Sequence, residues 1–83
     1  MAEYKIYFKK SVWKDFQSIL KKDLKKIMKV IESLSKDPRP SGCRKLSGKE
    51  RYRLRHGQYR IIYSIQDDEI SIWIVKVGHR KDV

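Results

Sequence analysis

The sequence has few of the residues that build covalently or metal-stabilised sites. Cys43 is its one cysteine, so no disulfide can form within the chain, and two histidines with one thiol do not make a structural zinc cluster. Hydrophobic runs are short and interrupted by charge, which excludes a transmembrane span, and the N-terminus lacks the apolar stretch of a secretory signal. We therefore expect a cytoplasmic protein that needs neither metal nor cofactor and does not bind a membrane.

Acidic residues are also scarce. The 83 residues include 10 Asp and Glu against 21 Lys and Arg, a formal net charge of +11. Aromatic residues at 11% and hydrophobic residues at 40% are too abundant for a disordered basic tail. Residues 1–83 are therefore expected to form one folded cationic domain, and its charge favours a polyanionic partner, most often nucleic acid.

Hydrophobic spacing predicts a strand over residues 4–8 and helical structure from Ser11, the expected N-cap, to Ser35. A single rod of that length would measure roughly 36 Å. A domain of this size has a radius of gyration of about 12 Å. One helix remains formally open, but two helices that break around Lys21–Asp23 are favoured.

The second half of the sequence is strand-like. Two prolines and a glycine within residues 37–42 predict a loop, and alternating residues then predict strands over 51–55, 59–66 and 69–77. Tight turns at His56-Gly57 and Asp67-Asp68 join these strands into an antiparallel meander. The expected class is α+β, in the order β-α-α-β-β-β, with one mainly antiparallel sheet that buries one face under the helical hairpin.

Arginine is concentrated in one third of the chain. Six of the seven arginines lie between residues 39 and 60, and Glu50 is the one acidic residue in the stretch 39–66. Strand alternation places Arg53 and Arg55 on one face, and Arg60 follows across the turn. Arginines on the solvent side of a sheet are also ordinary surface residues, but a cluster with almost no neighbouring acids favours an anionic ligand.

Other catalytic groups are few. The sequence shows no paired carboxylates, no glycine-rich phosphate loop and no metal-binding spacing, and we expect Cys43 to be a free thiol and His56 a solvated turn residue. RNA cleavage is compatible with this inventory, because the substrate supplies its own nucleophile, the 2′-OH. The protein then has to align that hydroxyl, stabilise the phosphorane and move protons.

Two motifs resemble the RelE/ParE superfamily of toxins from toxin–antitoxin systems: Tyr-Arg-Leu-Arg-x-Gly-x-Tyr-Arg over residues 52–60 and Gly-His-Arg over residues 78–80. The likeness covers essentially the whole chain and is greatest to the RelE branch, whose members cleave mRNA in the ribosomal A site. It implies a microbial-ribonuclease-like fold, mRNA and the ribosome as partners, and a hetero-oligomer with a neutralising antitoxin.

The resemblance also implies residue roles. Arg60 and Arg80 match the phosphate-binding arginines that stabilise the transition state. Arg55 matches a position assigned to proton transfer, where a lysine often stands; because a guanidinium is a poor base, His79 is expected to take that role. The expected substrate-binding residues are Arg53, Arg51, Lys49, Lys45 and Arg44.

Three alternatives remain open at the level of sequence. Members of the RelE branch commonly carry a tyrosine just after the terminal motif, and none follows Val83 here, so the tyrosine is either missing from this chain or dispensable. A ParE-type gyrase inhibitor without catalysis would share the fold. A nucleic-acid-binding module without cleavage would share the basic face and would bind with a steep salt dependence.

Overall fold

The computed structural model describes residues 3–46 and 50–79, in which two helices pack on one face of a five-stranded sheet. The elements are β1 (Lys5–Phe8), α1 (Lys10–Gln17), α2 (Lys21–Ser33), β2 (Arg44–Lys45), β3 (Arg51–His56), β4 (Tyr59–Gln66) and β5 (Ser71–His79). The sheet order is β1-β5-β4-β3-β2; β1 pairs with β5 in parallel and the other pairs are antiparallel. The predicted α+β class and the β3-β4-β5 meander are confirmed.

The hydrophobic core lies between the helices and one face of the sheet. Alternation along β3 and β4 sends every second side chain toward the helices, as the sequence pattern predicts, and β5 does the same up to its bulge after Ile74. Ile27 of α2 and Ile61 of β4 are fully buried there. The core cluster comprises Val12, Phe16, Ile19, Ile27, Ile31, Leu34, Tyr52, Leu54, Ile61, Tyr63, Ile65, Ile72, Ile74 and Val77.

The N-cap of helix α1 lies two residues earlier than the predicted Ser11. Ser11 lies inside the first turn, and the N-cap is Lys9, whose side chain makes no capping hydrogen bond. The backbone explains the difference, because the Lys9 N–H still donates to the Ile74 carbonyl, at 3.0 Å, and the Lys9 carbonyl accepts from the Val12 N–H. The chain therefore passes from pairing with β5 into the helix without an intervening residue for a serine cap.

The break between the helices also lies earlier than predicted, at residues 18–20 instead of Lys21–Asp23. The N–H groups of Ser18 and Ile19 donate to carbonyls three residues back, which closes α1 with a tight turn. That turn buries Ile19 and leaves Leu20 extended as the N-cap of α2. Within the described residues, neither helix is long and apolar enough to cross a membrane.

The strands and turns of the sheet differ from the prediction in several places. The sequence does not predict β2, because a strand of two exposed residues is too short to show alternation of apolar and polar side chains. The first hairpin turn is Gly57-Gln58, and Gly57 supplies the positive φ, 59°, that a tight turn with glycine at its first central position needs. β5 begins at Ser71, because the second turn extends over residues 67–70 and includes Ile70 at φ 50°.

A carboxylate of α1 completes the outer edge of β5. β1 pairs only as far as Ile74, and a register shift between Ile62 and Tyr63 of β4 accompanies a bulge in β5 beyond that point. The Val77 N–H donates to Asp15 Oδ2 at 3.2 Å, which satisfies a part-buried donor where no strand of the described chain continues the sheet. Asp15 thus fixes the end of β5, where the terminal motif begins.

A polar corner joins the β4–β5 turn to the loop after α2. Arg39 Nη2 lies 2.9 Å from Asp67 Oδ2, and the Tyr4 hydroxyl donates to Asp67 Oδ1 at 2.7 Å. The Arg39 guanidinium also lies over the Tyr52 ring, 5.2 Å from its centre. Hydrogen bonds from Arg39, and secondarily from Tyr4, hold the pKa of the Asp67 carboxyl below its ordinary value.

This depressed pKa predicts a loss of stability in acid. The charged form of Asp67 is favoured by folding, so its contribution is present above the ordinary pKa of an aspartate, about 4, and is lost as pH falls through the lower folded pKa. We expect the Tm difference between the protein and Asp67→Asn to be constant from pH 7 to about pH 5 and to vanish in stronger acid. Thermal unfolding from pH 7 to pH 2 measures this, and a difference that persists at the lowest pH would contradict the assignment.

Candidate nucleic-acid interface

The face of the sheet that points away from the helices, here called the open face, is basic. Register places the cross-strand partners Arg55 and Arg60 side by side, and in the next row Arg53 lies between Arg44 and Ile62. Side chains directly opposite each other on neighbouring strands have Cβ atoms about 4.5–5.5 Å apart. The predicted convergence of Arg53, Arg55 and Arg60 is therefore present in the fold, with Arg44 beside them.

Arg44, Arg53 and Arg55, with Gly42, line an open hollow of about 330 Å³. Within residues 3–46 and 50–79, the ion pairs shorter than 4.0 Å are Arg39–Asp67 and Lys45–Glu50, so no described carboxylate neutralises these three guanidinium groups. Adjacent unneutralised cations repel one another, and an anion bound between them removes that repulsion. The hollow has the charge and the forked donors that suit a phosphate.

The centre of the open face also holds one apolar side chain. Ile62 is only 9% exposed although it lies outside the core beneath the helices. Its neighbours across the strands are Arg53 and Lys76, whose aliphatic stems are placed to cover it while their charged ends reach solvent. Ile62 therefore gives these long side chains an apolar surface on which to pack.

Gly78 of β5 lies opposite Arg60 on the side away from Arg55. The half-buried Arg60 therefore has an arginine as its cross-strand neighbour on one flank and a glycine, which contributes no side chain, on the other. The sequence assigned Gly78 no role, and alternation along β5 could not give its face because the bulge lies between Ile74 and Lys76.

His79 lies apart from the arginines. Its cross-strand partner is Tyr59, which packs on the helix side of the sheet, and the two rings meet edge to face, 5.9 Å between their centres. His79 Nε2 lies 3.1 Å from Gln58 Oε1. The ring lines a separate hollow of about 190 Å³ whose wall includes Asp15 and Gly78. Gly78 thus belongs both to the row of Arg60 and to the hollow of His79.

The other predicted site residues are dispersed. Lys45 pairs with Tyr52 on the helix side and lies 3.5 Å from Glu50, so the structure does not bring it to the arginines. Arg51 is on the open face but two positions along β3 from Arg53, opposite Ser64. His56 is the last residue of β3 and not part of the turn. Lys49 and Arg80 lie outside the described residues.

The open face carries a second feature that the sequence did not reveal. Tyr7 of β1 and Trp73 of β5 are cross-strand partners whose rings stack, 5.0 Å between centres and 24° between planes. Both are unusually exposed, at 42% and 38%. No group of three or more His, Cys, Asp or Glu residues in the described chain could hold a metal ion.

The chain is similar to toxins of toxin–antitoxin systems. The family model of the ParE toxin of type II toxin–antitoxin systems, parDE, matches residues 6–83. RelE1 of Methanocaldococcus jannaschii is 30% identical over 83 aligned residues, which cover 95% of this chain and 92% of that protein.

Solved structures of similar proteins support the same family. The archaeal RelE–RelB complex from Pyrococcus horikoshii contains a chain with a TM-score of 0.85 and 30% identity, covering 98% of this chain and 99% of that one. The RelB–RelE complex from Methanococcus jannaschii contains one with a TM-score of 0.75 and 26% identity, covering 92% of each. Fold, sequence and family match together assign this chain to the RelE/ParE superfamily of type II toxin–antitoxin toxins.

Proposed function

We propose that this toxin is an endoribonuclease that cleaves mRNA on the ribosome, in the manner expected of the RelE branch. The observation that supports this most is the row of guanidinium groups on the open face: Arg55 beside Arg60, with Arg53 and Arg44 in the next row. A protein that acts only by blocking another protein has no need of several forked phosphate donors held together against their mutual repulsion.

The proposed reaction uses the substrate's own 2′-OH as nucleophile. Its oxygen attacks the adjacent phosphorus, the bond to the 5′-oxygen of the next nucleotide breaks, and the products are a 2′,3′-cyclic phosphate and a 5′-hydroxyl. Arg60 and Arg55 stabilise the extra negative charge of the phosphorane, where fixed donors are most effective. Arg53 and Arg44 hold the neighbouring phosphate, and Arg80, outside the described residues, is assigned to the phosphorane by the family motif alone.

His79 is the proposed proton-transfer residue, because a guanidinium remains charged and is a poor base. RNA that lies over Gly78 beside Arg60 would pass the rim of the hollow that His79 lines. Replacing His79 with glutamine, which retains a hydrogen-bonding group, is expected to lower the cleavage rate by about 10²- to 10⁴-fold with little change in KM.

Single-turnover cleavage of ribosome-bound mRNA measures this effect, and Gln58→Ala is the matched control because it removes a polar neighbour of the ring and keeps the imidazole itself. The control should lose much less activity. Full activity in His79→Gln would show that another residue transfers the proton.

An antitoxin is the proposed protein partner. The similar toxins from Pyrococcus horikoshii and Methanococcus jannaschii were solved as complexes with RelB. The open face predicts that an antitoxin segment lying over Arg53 and Arg55 would be acidic, since no described carboxylate neutralises these two guanidinium groups and burying them under a neutral segment is costly. Mass measurement of the co-expressed pair would establish the hetero-oligomer and its stoichiometry.

The decisive experiment changes the RNA instead of the protein. Ribosomes are programmed with an mRNA that has ordinary nucleotides, or with the same mRNA carrying 2′-deoxynucleotides in the A-site codon. We expect the first to be cut with a 2′,3′-cyclic phosphate end and the second to remain intact, because it lacks the nucleophile. Cleavage of both, or of neither, would overturn the proposed reaction.

A ParE-type gyrase inhibitor is the second candidate, favoured by the family model that matches residues 6–83. It predicts a different outcome in cells: growth arrest with DNA-damage signalling while mRNA stays intact. The arginine row favours the nuclease, since inhibition of a protein does not require phosphate donors. Intact mRNA during growth arrest, together with DNA damage, would show that the protein inhibits gyrase and is not a nuclease.

A further inference from the structure

The stacked Tyr7 and Trp73 rings lie on the same face as the arginine row. Trp73 of β5 is the partner of Ser64, which in turn pairs with Arg51 of β3. Arg60 lies on the neighbouring strand β4, four residues from Ser64. The usual spacing of strands and residues in a sheet puts the backbones of Arg60 and Trp73 about 14 Å apart. The aromatic pair is therefore close enough for one short segment of single-stranded RNA to reach both places.

Exposure distinguishes this pair from an ordinary cross-strand contact. Tyr7 and Trp73 keep 42% and 38% of their surface accessible, so the stack still offers aromatic surface to a ligand. The strand register shows which residues lie near this pair on the open face. Lys5 is on the same strand as Tyr7, and Ser64 and Arg51 lie across the sheet from Trp73. Among the described residues, none of those that register assigns to the open face is acidic.

We propose that Tyr7 and Trp73 form a stacking site for a base of the mRNA, a short distance along the strand from the phosphate that the arginines hold. Planar apolar surface next to fixed cations matches single-stranded RNA, which offers a base and a phosphate in alternation. An acidic protein segment would match the charge but not the flat aromatic surface. The inference rests on the proposed ribonuclease function and gives it a substrate-positioning element.

Tryptophan fluorescence tests the contact directly. The chain has two tryptophans, and Trp13 lies on α1, so Trp13→Phe leaves Trp73 as the one indole. The probe is a 2′-O-methyl RNA of about ten nucleotides, within the range that single-strand sites occupy; it has no free 2′-OH and is not cleaved. We expect the RNA to quench Trp73, and inorganic polyphosphate to compete with the RNA without quenching.

Variants at Trp73 separate aromatic stacking from simple packing. We expect Trp73→Leu to bind the RNA about fivefold to a hundredfold more weakly, the range for loss of one stacked base, and Trp73→Phe to retain most of the affinity. Leucine keeps an apolar side chain in β5, and circular dichroism checks that the variant is folded. If Trp73→Leu does not fold, quenching in the Trp13→Phe protein still decides the question.

The outcomes distinguish the two proposals. Unchanged indole emission with RNA, together with equal cleavage of mRNA by Trp73→Leu and the parent protein, would overturn the stacking site and leave the nuclease intact. Quenching without any cleavage on ribosomes would overturn the nuclease and leave the stacking site. Equal quenching by RNA and by polyglutamate would show that this face binds acidic chains in general, and would also overturn the stacking site.

Discussion

Replacing Arg60 with alanine is expected to lower the rate of mRNA cleavage on the ribosome by about 100- to 1000-fold, the usual cost of losing one donor to a charged transition state. Arg60 lies between Gly78 and Arg55, and Arg55 lines the open hollow that also holds Arg44 and Arg53. The loss should appear in kcat more than in KM, because negative charge on the phosphorane develops only during the reaction. Single-turnover cleavage at saturating enzyme measures it.

Arg60→Lys makes the same test without removing the charge. A lysine keeps the positive charge but lacks the forked pair of donors, so we expect it to recover only part of the lost rate. The matched control is Arg39→Ala, which removes an arginine that is engaged with Asp67 at the opposite end of β4. Arg39→Ala should lower Tm and leave the cleavage rate of the folded protein unchanged.

Two results would contradict this assignment. Cleavage by Arg60→Ala at the parent rate would show that Arg60 does not contact the reacting phosphate. Equal losses of rate in Arg39→Ala and Arg60→Ala, with both proteins folded, would show that total charge matters and that position does not. Binding would then be explained by the non-specific attraction of a basic protein to RNA, which weakens steeply as salt is added.

The position of the arginines could be predicted from the sequence because strand alternation has a period of two. Arg53 and Arg55 must share a face once residues 51–56 form a strand, and the hairpin places Arg60 on that same face. Which of the two lies opposite Arg60 depends on the turn: the predicted turn at His56-Gly57 would pair Arg60 with Arg53, and the observed turn at Gly57-Gln58 pairs it with Arg55. The same rule could not be applied to Lys45, because nothing in its sequence shows that a two-residue strand forms there. Its pairing with Tyr52 places it on the other face.

The environment of His79 could not be predicted for a related reason. Alternation along β5 is interrupted by the bulge before Val77, so counting residues from Trp73 does not give the face on which His79 lies. The bulge coincides with the end of β1 and with the Asp15 contact to Val77, both of which are tertiary features. Aromatic stacking between Tyr7 and Trp73 likewise depends on a parallel pairing across 66 residues of chain, which local patterns do not encode.

Helix α2 supplies a second prediction with a large effect. The sequence pattern places Leu24 and Ile27 together on the apolar side of this helix, and the structure buries them unequally. Ile27 is fully buried in the core, whereas Leu24 is half-buried: it packs against the core and, with Met28, lines an open hollow of about 530 Å³. We expect Ile27→Ala to cost about 2–5 kcal/mol, the range for a buried aliphatic side chain that leaves a cavity.

That cost is a large part of the total for a chain of this size, whose free energy of unfolding is on the order of 4–12 kcal/mol. The corresponding fall in Tm is about 10 °C or more, and urea unfolding at 25 °C gives the free-energy difference itself. Leu24→Ala is the matched control, since it shortens an aliphatic side chain in the same helix, and it should cost only about 1 kcal/mol.

The ratio of the two effects tests how α2 sits on the sheet. Helical periodicity alone does not decide which of the neighbouring apolar positions of α2 points inward, and packing in the core selects Ile27 and Ile31. Equal losses in Ile27→Ala and Leu24→Ala would contradict the packing described for the helix. Because the helices hold the sheet from the other side, an Ile27→Ala protein that stays folded at low temperature should keep its open face and cleave mRNA at nearly the parent rate.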